Sequence, residues 1–125
     1  MALAKDLMQT GIPDQAAIRM GYQYGTLTSA GTTSADAAAC SATATLVEVT
    51  GAASSGIKLS SAAEVGMDFV YANTSANAIL IYPPTGGQIN GDTATTGTVP
   101  LAARGTTRCI RTGVNTWAAI CGAAG

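Results

Sequence analysis

Gly66-Met67-Asp68-Phe69-Val70-Tyr71-Ala72-Asn73-Thr74-Ser75-Ala76-Asn77-Ala78-Ile79-Leu80-Ile81-Tyr82-Pro83-Pro84 decides the fold class of this chain. Short apolar runs alternate with Asn, Gly and Pro punctuation, and the same pattern continues as far as Trp117. It predicts strands at Met67 to Ala72, Ala78 to Tyr82, Thr106 to Arg111 and Asn115 to Ile120, separated by turn-rich segments. In the first pair Met67, Phe69 and Tyr71 share one face with Val70 opposite, and Ile79 and Ile81 share a face opposed by Leu80 and Tyr82. The two runs read as a hairpin that is apolar on both faces. A second sheet would cover one face, and a subunit or arm the other. Pro83 and Pro84 have no N–H to offer a ladder, so the second strand ends there.

Upstream, Thr43, Thr45, Val47 and Val49 alternate with Ala44, Leu46 and Glu48, the pattern of a half-buried strand. Ile57-Lys58-Leu59 predicts a short strand with both apolar side chains on one face. Thr26-Leu27-Thr28 fits an edge strand, and Asp36 to Ala39 a single helical turn. Downstream, Gln88-Ile89-Asn90-Gly91-Asp92 reads as a brief β segment ending in a tight turn, and Thr112-Gly113 as the turn of a closing hairpin. Phe69, Ile79, Ile81 and Trp117 are the expected core. No repeat of fixed period is visible, which disfavours propellers and solenoids.

Residues 1–24 form a separate arm ahead of a single domain over residues 25–125. The arm carries three of the four Met and is interrupted by Gly11-Ile12-Pro13. Two short helical pieces are expected: Pro13 suits a first helical turn, Asp14 the positive end of a helix and Gly21 its stop. Each piece is too short to be stable alone in water, so the arm must dock on something.

The 125 residues carry 6 basic and 7 acidic side chains, 10% of the chain and a net charge of −1. Average soluble proteins have about 25% charged residues, so this surface is finished with Thr, Ser, Ala, Gly and Asn, as suits a chain covered by its neighbours in an assembly. The balance gives no electrostatic footprint for nucleic acid. Arg108 and Arg111 have opposite parity on one strand, which predicts solvated or salt-bridged arginines and no basic stripe. No apolar run approaches a membrane span, and Lys5 and Asp6 interrupt the first apolar residues before an export signal forms. The expectation is synthesis and assembly in a reducing cytoplasm, with Cys40, Cys109 and Cys121 as small buried hydrophobes; a Cys109–Cys121 bridge is the less favoured alternative.

The absence of His removes the Ser-His-Asp and Cys-His triads and the commonest metal ligand. Nothing in the spacing of Asp36, Glu48, Glu64, Asp68 and Asp92 selects a glycosidase-type carboxylate pair. No phosphate-cradling Gly pattern occurs. The chain is therefore expected to be no enzyme and to carry no cofactor or metal. Asn73-Thr74-Ser75 fits a glycosylation sequon and reads better as a turn.

One ordered set of segments resembles a known family. It comprises Ile57-Lys58-Leu59, Ala62-Ala63-Glu64-Val65-Gly66, Phe69-Val70-Tyr71-Ala72-Asn73, Ala78-Ile79-Leu80-Ile81-Tyr82-Pro83-Pro84, Gly87-Gln88-Ile89-Asn90-Gly91 and Gly113-Val114-Asn115-Thr116-Trp117. Over roughly Thr43 to Ile120 the chain resembles head decoration (cement) proteins of tailed bacteriophages and related head-fibre domains, and the arm is similar to those ahead of such domains. The resemblance implies an antiparallel β-sandwich or jelly-roll-like domain. It also implies a homotrimer on the outer surface of the virion capsid that clamps neighbouring subunits of the major capsid protein, with no catalytic residue.

Leu7, Met8, Ile12, Pro13, Ile18, Met20 and Tyr22 are then the expected contact set, facing the capsid or, nearly as well, a sibling subunit. The alternative is a fibre-tip or glycan-binding β-domain, which would expose Tyr71, Tyr82 and Trp117 around a ligand. A secreted adhesin or pilin-like subunit would need an export signal and paired cysteines, and the sequence offers neither.

Overall fold

The computed structural model describes residues 23–121, all of it strand, turn and irregular chain with no helix. The strands are β1 (Tyr24–Thr28), β2 (Ala38–Ala39), β3 (Leu46–Thr50), β4 (Gly56–Lys58), β5 (Asp68–Asn73), β6 (Ile79–Tyr82), β7 (Gln88–Ile89), β8 (Val99–Leu101), β9 (Thr106–Arg111) and β10 (Thr116–Cys121). They form a six-stranded sheet in the order β1-β3-β5-β9-β10-β7 and a four-stranded sheet in the order β2-β4-β6-β8.

The chain alternates between these sheets. β1, β3 and β5 run parallel in the larger one, and β2, β4 and β6 run parallel in the smaller. Three successive coils of a β-solenoid-like arrangement result, in which each coil lays one strand on each sheet. Tyr24 aligns with Leu46 and Leu46 with Val70, steps of 22 and 24 residues, while Ala38 aligns with Ile57 and Ile57 with Ile81, steps of 19 and 24. These unequal steps explain why no fixed period shows in the sequence, and they correct the expectation against a solenoid. The coil ends where the chain reverses: β8 runs antiparallel to β6, β9 to β5 and β10 to β9. With β7 parallel to β10, five of the eight strand pairings are parallel, so the expected all-antiparallel arrangement is corrected as well.

The expected hairpin from Met67 to Tyr82 is not one. β5 and β6 lie in different sheets, and Asn73 is the reason. Its side chain is buried at the corner, where Nδ2 donates to the carbonyls of Asn77 (2.6 Å), Leu101 (3.2 Å) and Ala102 (3.2 Å), and Oδ1 accepts from the Ser75 N–H (2.9 Å) and hydroxyl (2.7 Å). Those bonds satisfy the corner's polar groups internally and aim the chain across the core, where a two-residue hairpin turn would have sent it back along its own sheet. The sequon residue is thus a structural corner, as the turn reading expected.

The strand expected at Thr106 to Arg111 pairs with the following one through the Thr112-Gly113 turn. The helical turn expected at Asp36 to Ala39 is instead a hydrogen-bonded turn, Asp36 N–H to Thr33 O at 3.2 Å, followed by β2.

One apolar core fills the space between the sheets. Val47, Val49, Phe69, Tyr71, Ile89, Cys109 and Trp117 come from the larger sheet and Ile57, Ile79, Ile81, Val99 and Leu101 from the smaller. The expected core residues Phe69, Ile79, Ile81 and Trp117 are all within it, and Trp117 packs on Phe69 with ring centroids 6.0 Å apart. Close stacking of the coils forces small residues at contact points: a Cβ on Gly56 would stand 2.6 Å from the Tyr82 ring, nearer than carbon atoms approach.

Candidate interaction surface

Alternation along each strand of the larger sheet sends one set of side chains inward and the other to an outer face. Parallel and antiparallel registers then line the outward residues into rows across the strands. One row reads Tyr24, Leu46, Val70, Arg108, Ile120, crossing five of the six strands. A second reads Thr26, Glu48, Ala72, Thr106, and a third Asp68, Ile110, Ala118.

The large apolar side chains exposed among the described residues are Tyr24, Leu46, Val65, Val114 and Ile120. Tyr24, Leu46 and Ile120 belong to the first row. Val65 and Val114 flank the end of the sheet from which β1, β3 and β5 set out. Arg111 joins the two loops there: its guanidinium donates to the carbonyls of Ser61, Ala63 and Val114, and its backbone exchanges hydrogen bonds with Gly66 and Met67. Tyr24, Leu46 and Ile120 therefore share the outer face, while Val65 and Val114 are exposed at the end of the sheet, on loops joined by Arg111. Scattered single apolar residues are ordinary on a protein surface, whereas a set gathered on one side marks a contact region.

The charges on this face are engaged with their own neighbours. Arg108 holds Asp68 through Nε, 2.9 Å from both oxygens, and through Nη2, 2.6 Å from Oδ2. The Tyr24 hydroxyl donates to Glu48 Oε1 at 3.1 Å, and this bond raises the phenol's pKa above its ordinary value. Arg108 and Arg111 thus do separate as their parity requires, and Arg108 is salt-bridged as expected. A shallow hollow of about 410 Å³, lined by Thr26, Leu27, Thr28, Glu48 and Thr50, indents the face beside the edge strand β1.

On the other side, a groove of about 350 Å³ runs between Ala39, Cys40, Lys58, Leu59, Ser60, Ser61, Pro84 and Thr85. Its one cation, Lys58, donates to the Thr85 hydroxyl at 3.0 Å. Among the described residues no three metal-ligating side chains converge. Cys40 and Cys109 are buried free thiols and Cys121 is an exposed one, so the Cys109–Cys121 bridge is not formed and the third cysteine is not the buried hydrophobe expected. Burial pushes the Cys40 thiol up to about 12 and raises Cys109 as well. Neither is a poised nucleophile, because the thiolate is the reactive form.

The expected contact residues Leu7, Met8, Ile12, Pro13, Ile18, Met20 and Tyr22 lie outside the described residues. The outer-face set was missed from the sequence, although parity carried part of the signal: Leu46 is out of phase with Val47 and Val49, and Ile120 with Trp117. Only the register shows that the two share a row. No family model, curated protein or solved structure matches this chain.

Proposed function

We propose that this chain is a non-catalytic structural subunit of a virion: a homotrimeric decoration protein that binds the outer surface of a tailed-phage head and stabilises contacts between major capsid subunits. The observation that carries the reading is the row that sets exposed Tyr24, Leu46 and Ile120 together on the outer face of the larger sheet in a weakly charged chain. Association adds little desolvation cost at the Asp68–Arg108 pair, whose charges offset each other, and leaves Glu48, held by the Tyr24 hydroxyl, as the unbalanced charge of the face. A rigid two-sheet body, sandwich-like in its layering, suits a load-bearing clamp. The segment over residues 1–22 supplies further apolar groups for docking on a capsid or a sibling subunit.

The fibre-tip or glycan-binding reading fares worse because Tyr71, Tyr82 and Trp117, the platforms it requires, are buried. Among the described aromatic residues only Tyr24 is exposed, and its hydroxyl is occupied by Glu48.

Counting copies per purified particle by quantitative mass spectrometry tests the proposal. Hundreds of copies are expected of a decoration protein. A handful would assign the chain to a fibre, and its absence from particles would sink the virion reading altogether.

A further inference from the structure

We propose that Asn90 is a modification site: the Gly91 nitrogen attacks its side-chain amide, ammonia leaves, and the reaction proceeds only when the edge strand β7 lets go of β10. The modified residue then keeps that edge open. This holds whether or not the chain is a virion subunit.

The four asparagines are Asn73, Asn77, Asn90 and Asn115, and Asn90 alone is followed by Gly. Without a Cβ at Gly91, its nitrogen meets little hindrance on the way to the Asn90 Cγ, whereas the Thr or Ala after each of the other three carries one.

The fold sets this pair in a tight exposed turn. Ile89-Asn90-Gly91-Asp92 closes through the Asp92 N–H to the Ile89 carbonyl at 3.0 Å, with φ of 53° at Asn90 and 74° at Gly91. Two positive φ values in succession are the mark of a type I′ turn, the turn that Asn-Gly fits best. Both residues are exposed, so water and hydroxide reach them.

The amide itself is engaged. After Ile89 the backbone turns away from β10 and the Asn90 side chain continues the pairing: Oδ1 accepts from the Ala119 N–H at 2.9 Å, and Nδ2 donates to the Ala119 carbonyl at 3.2 Å. The Asn90 N–H donates to the Trp117 carbonyl (2.9 Å) and the Gln88 N–H to the Asn115 carbonyl (2.9 Å), and β7 is only two residues long. A carboxamide fixed at both polar atoms has to release Ala119 before its carbon turns to the Gly91 nitrogen. An edge held by so few bonds opens locally at little cost.

Water is the co-reactant throughout. The Gly91 nitrogen, its proton taken by hydroxide, forms a bond to Asn90 Cγ; the Cγ–Nδ2 bond breaks, and Nδ2 takes a proton from water and leaves as ammonia. Water then adds to either carbonyl of the resulting five-membered imide, and ring opening gives aspartate or isoaspartate at position 90, with no oxidation or reduction. Either product lacks the Nδ2 donor and sets a carboxylate against the Ala119 carbonyl, acceptor facing acceptor. Isoaspartate also routes the main chain through Cβ, which displaces the Asp92 N–H from Ile89. Ile89 and Trp117 lie opposite each other across β7 and β10 and are both in the core, so the modified chain loosens one end of it.

The full chain, held at pH 8 with and without denaturing urea, tests this by peptide mass spectrometry and enzymatic isoaspartate labelling. The expected gain of about 1 Da is confined to residue 90 and is about ten- to a hundredfold slower in the folded chain than in urea. In the modified fraction, separated by ion exchange, and in N90D, hydrogen exchange at the Ala119 N–H should quicken at least tenfold. Equal rates with and without urea would show that Ala119 does not gate the reaction. A folded chain still unmodified when the unfolded sample is fully converted would close the site, and conversion centred on another asparagine would move it. Native-like exchange at Ala119 in both the modified fraction and N90D would overturn the release of the edge.

Discussion

Arg108 grips Asp68 across the β5–β9 pair in a bidentate contact in the middle of an apolar sheet face, with the two side chains 49% and 24% exposed. An ion pair so open to solvent contributes at most about 1 kcal/mol to folding. Its value changes once a partner covers it, because a carboxylate buried without its guanidinium costs several kcal/mol, whereas an apolar pair of similar volume costs little.

Arg108→Met is therefore expected to lower the urea stability of the dissociated chain by under about 1 kcal/mol, and to weaken self-association at least tenfold in sedimentation equilibrium. The D68M/R108M double variant should restore association. Equal association for the single variant and the native chain would mean that this face stays wet.

Asn73 is the corner on which the coil turns from the larger sheet to the smaller. Replacement by Ala removes a donor shared by three carbonyls and an acceptor for Ser75 in a site that is 3% exposed. Buried carbonyls left without donors predict a loss of about 2–4 kcal/mol, read from chemical denaturation with an unchanged m-value. A loss below about 1 kcal/mol would mean that water replaces the amide without difficulty.

The sequence displayed the strands and hid their partners. Alternation at Val47 and Val49, at Phe69 and Tyr71, and at Ile79 and Ile81 identified inward faces correctly, because period-two burial is a local property of a strand. Strand direction is not local. Asn73-Thr74-Ser75-Ala76-Asn77 looks like a hairpin connection and is a corner, because Asn73 reaches Leu101 and Ala102, some 28 and 29 residues away in sequence. The coil was illegible for a similar reason: its alignment of Tyr24 with Leu46 and Val70 tolerates loops of different length. The outer-face row needed the register of five strands, which no single-strand pattern contains.

Trp117 is 3% exposed and packs on Phe69, although its indole N–H has no partner within the described structure. Truncation to Ala should cost about 3–5 kcal/mol, the range for emptying a large buried aromatic site. As the single Trp in the chain, it also reports on its own surroundings. Native emission should be blue-shifted and resistant to acrylamide quenching. Red-shifted, quenchable emission, or a loss under about 1 kcal/mol, would place the ring at the surface.

The buried thiols set an alkaline limit. Desolvation lifts Cys40 from 9.0 to about 12 in the folded chain, against the smaller opposing effect of its hydrogen bond with Tyr71. A group whose folded pKa is raised contributes stability that is intact below the unfolded value and is lost as pH climbs towards the folded one. The unfolded chain releases this proton near pH 9, while the folded chain retains it until about pH 12. Each thiol in that position removes about 1.4 kcal/mol per pH unit across the window. Cys109, also raised by burial, acts in the same direction. Urea midpoints should therefore fall from pH 9 to pH 11 and fall less steeply in Cys40→Ala, while a thiol reagent at pH 8 labels Cys121 alone in the native chain. Parallel pH profiles for the variant and the native chain, or rapid labelling of Cys40, would show that water reaches the space between β2, β4 and the Tyr71 hydroxyl.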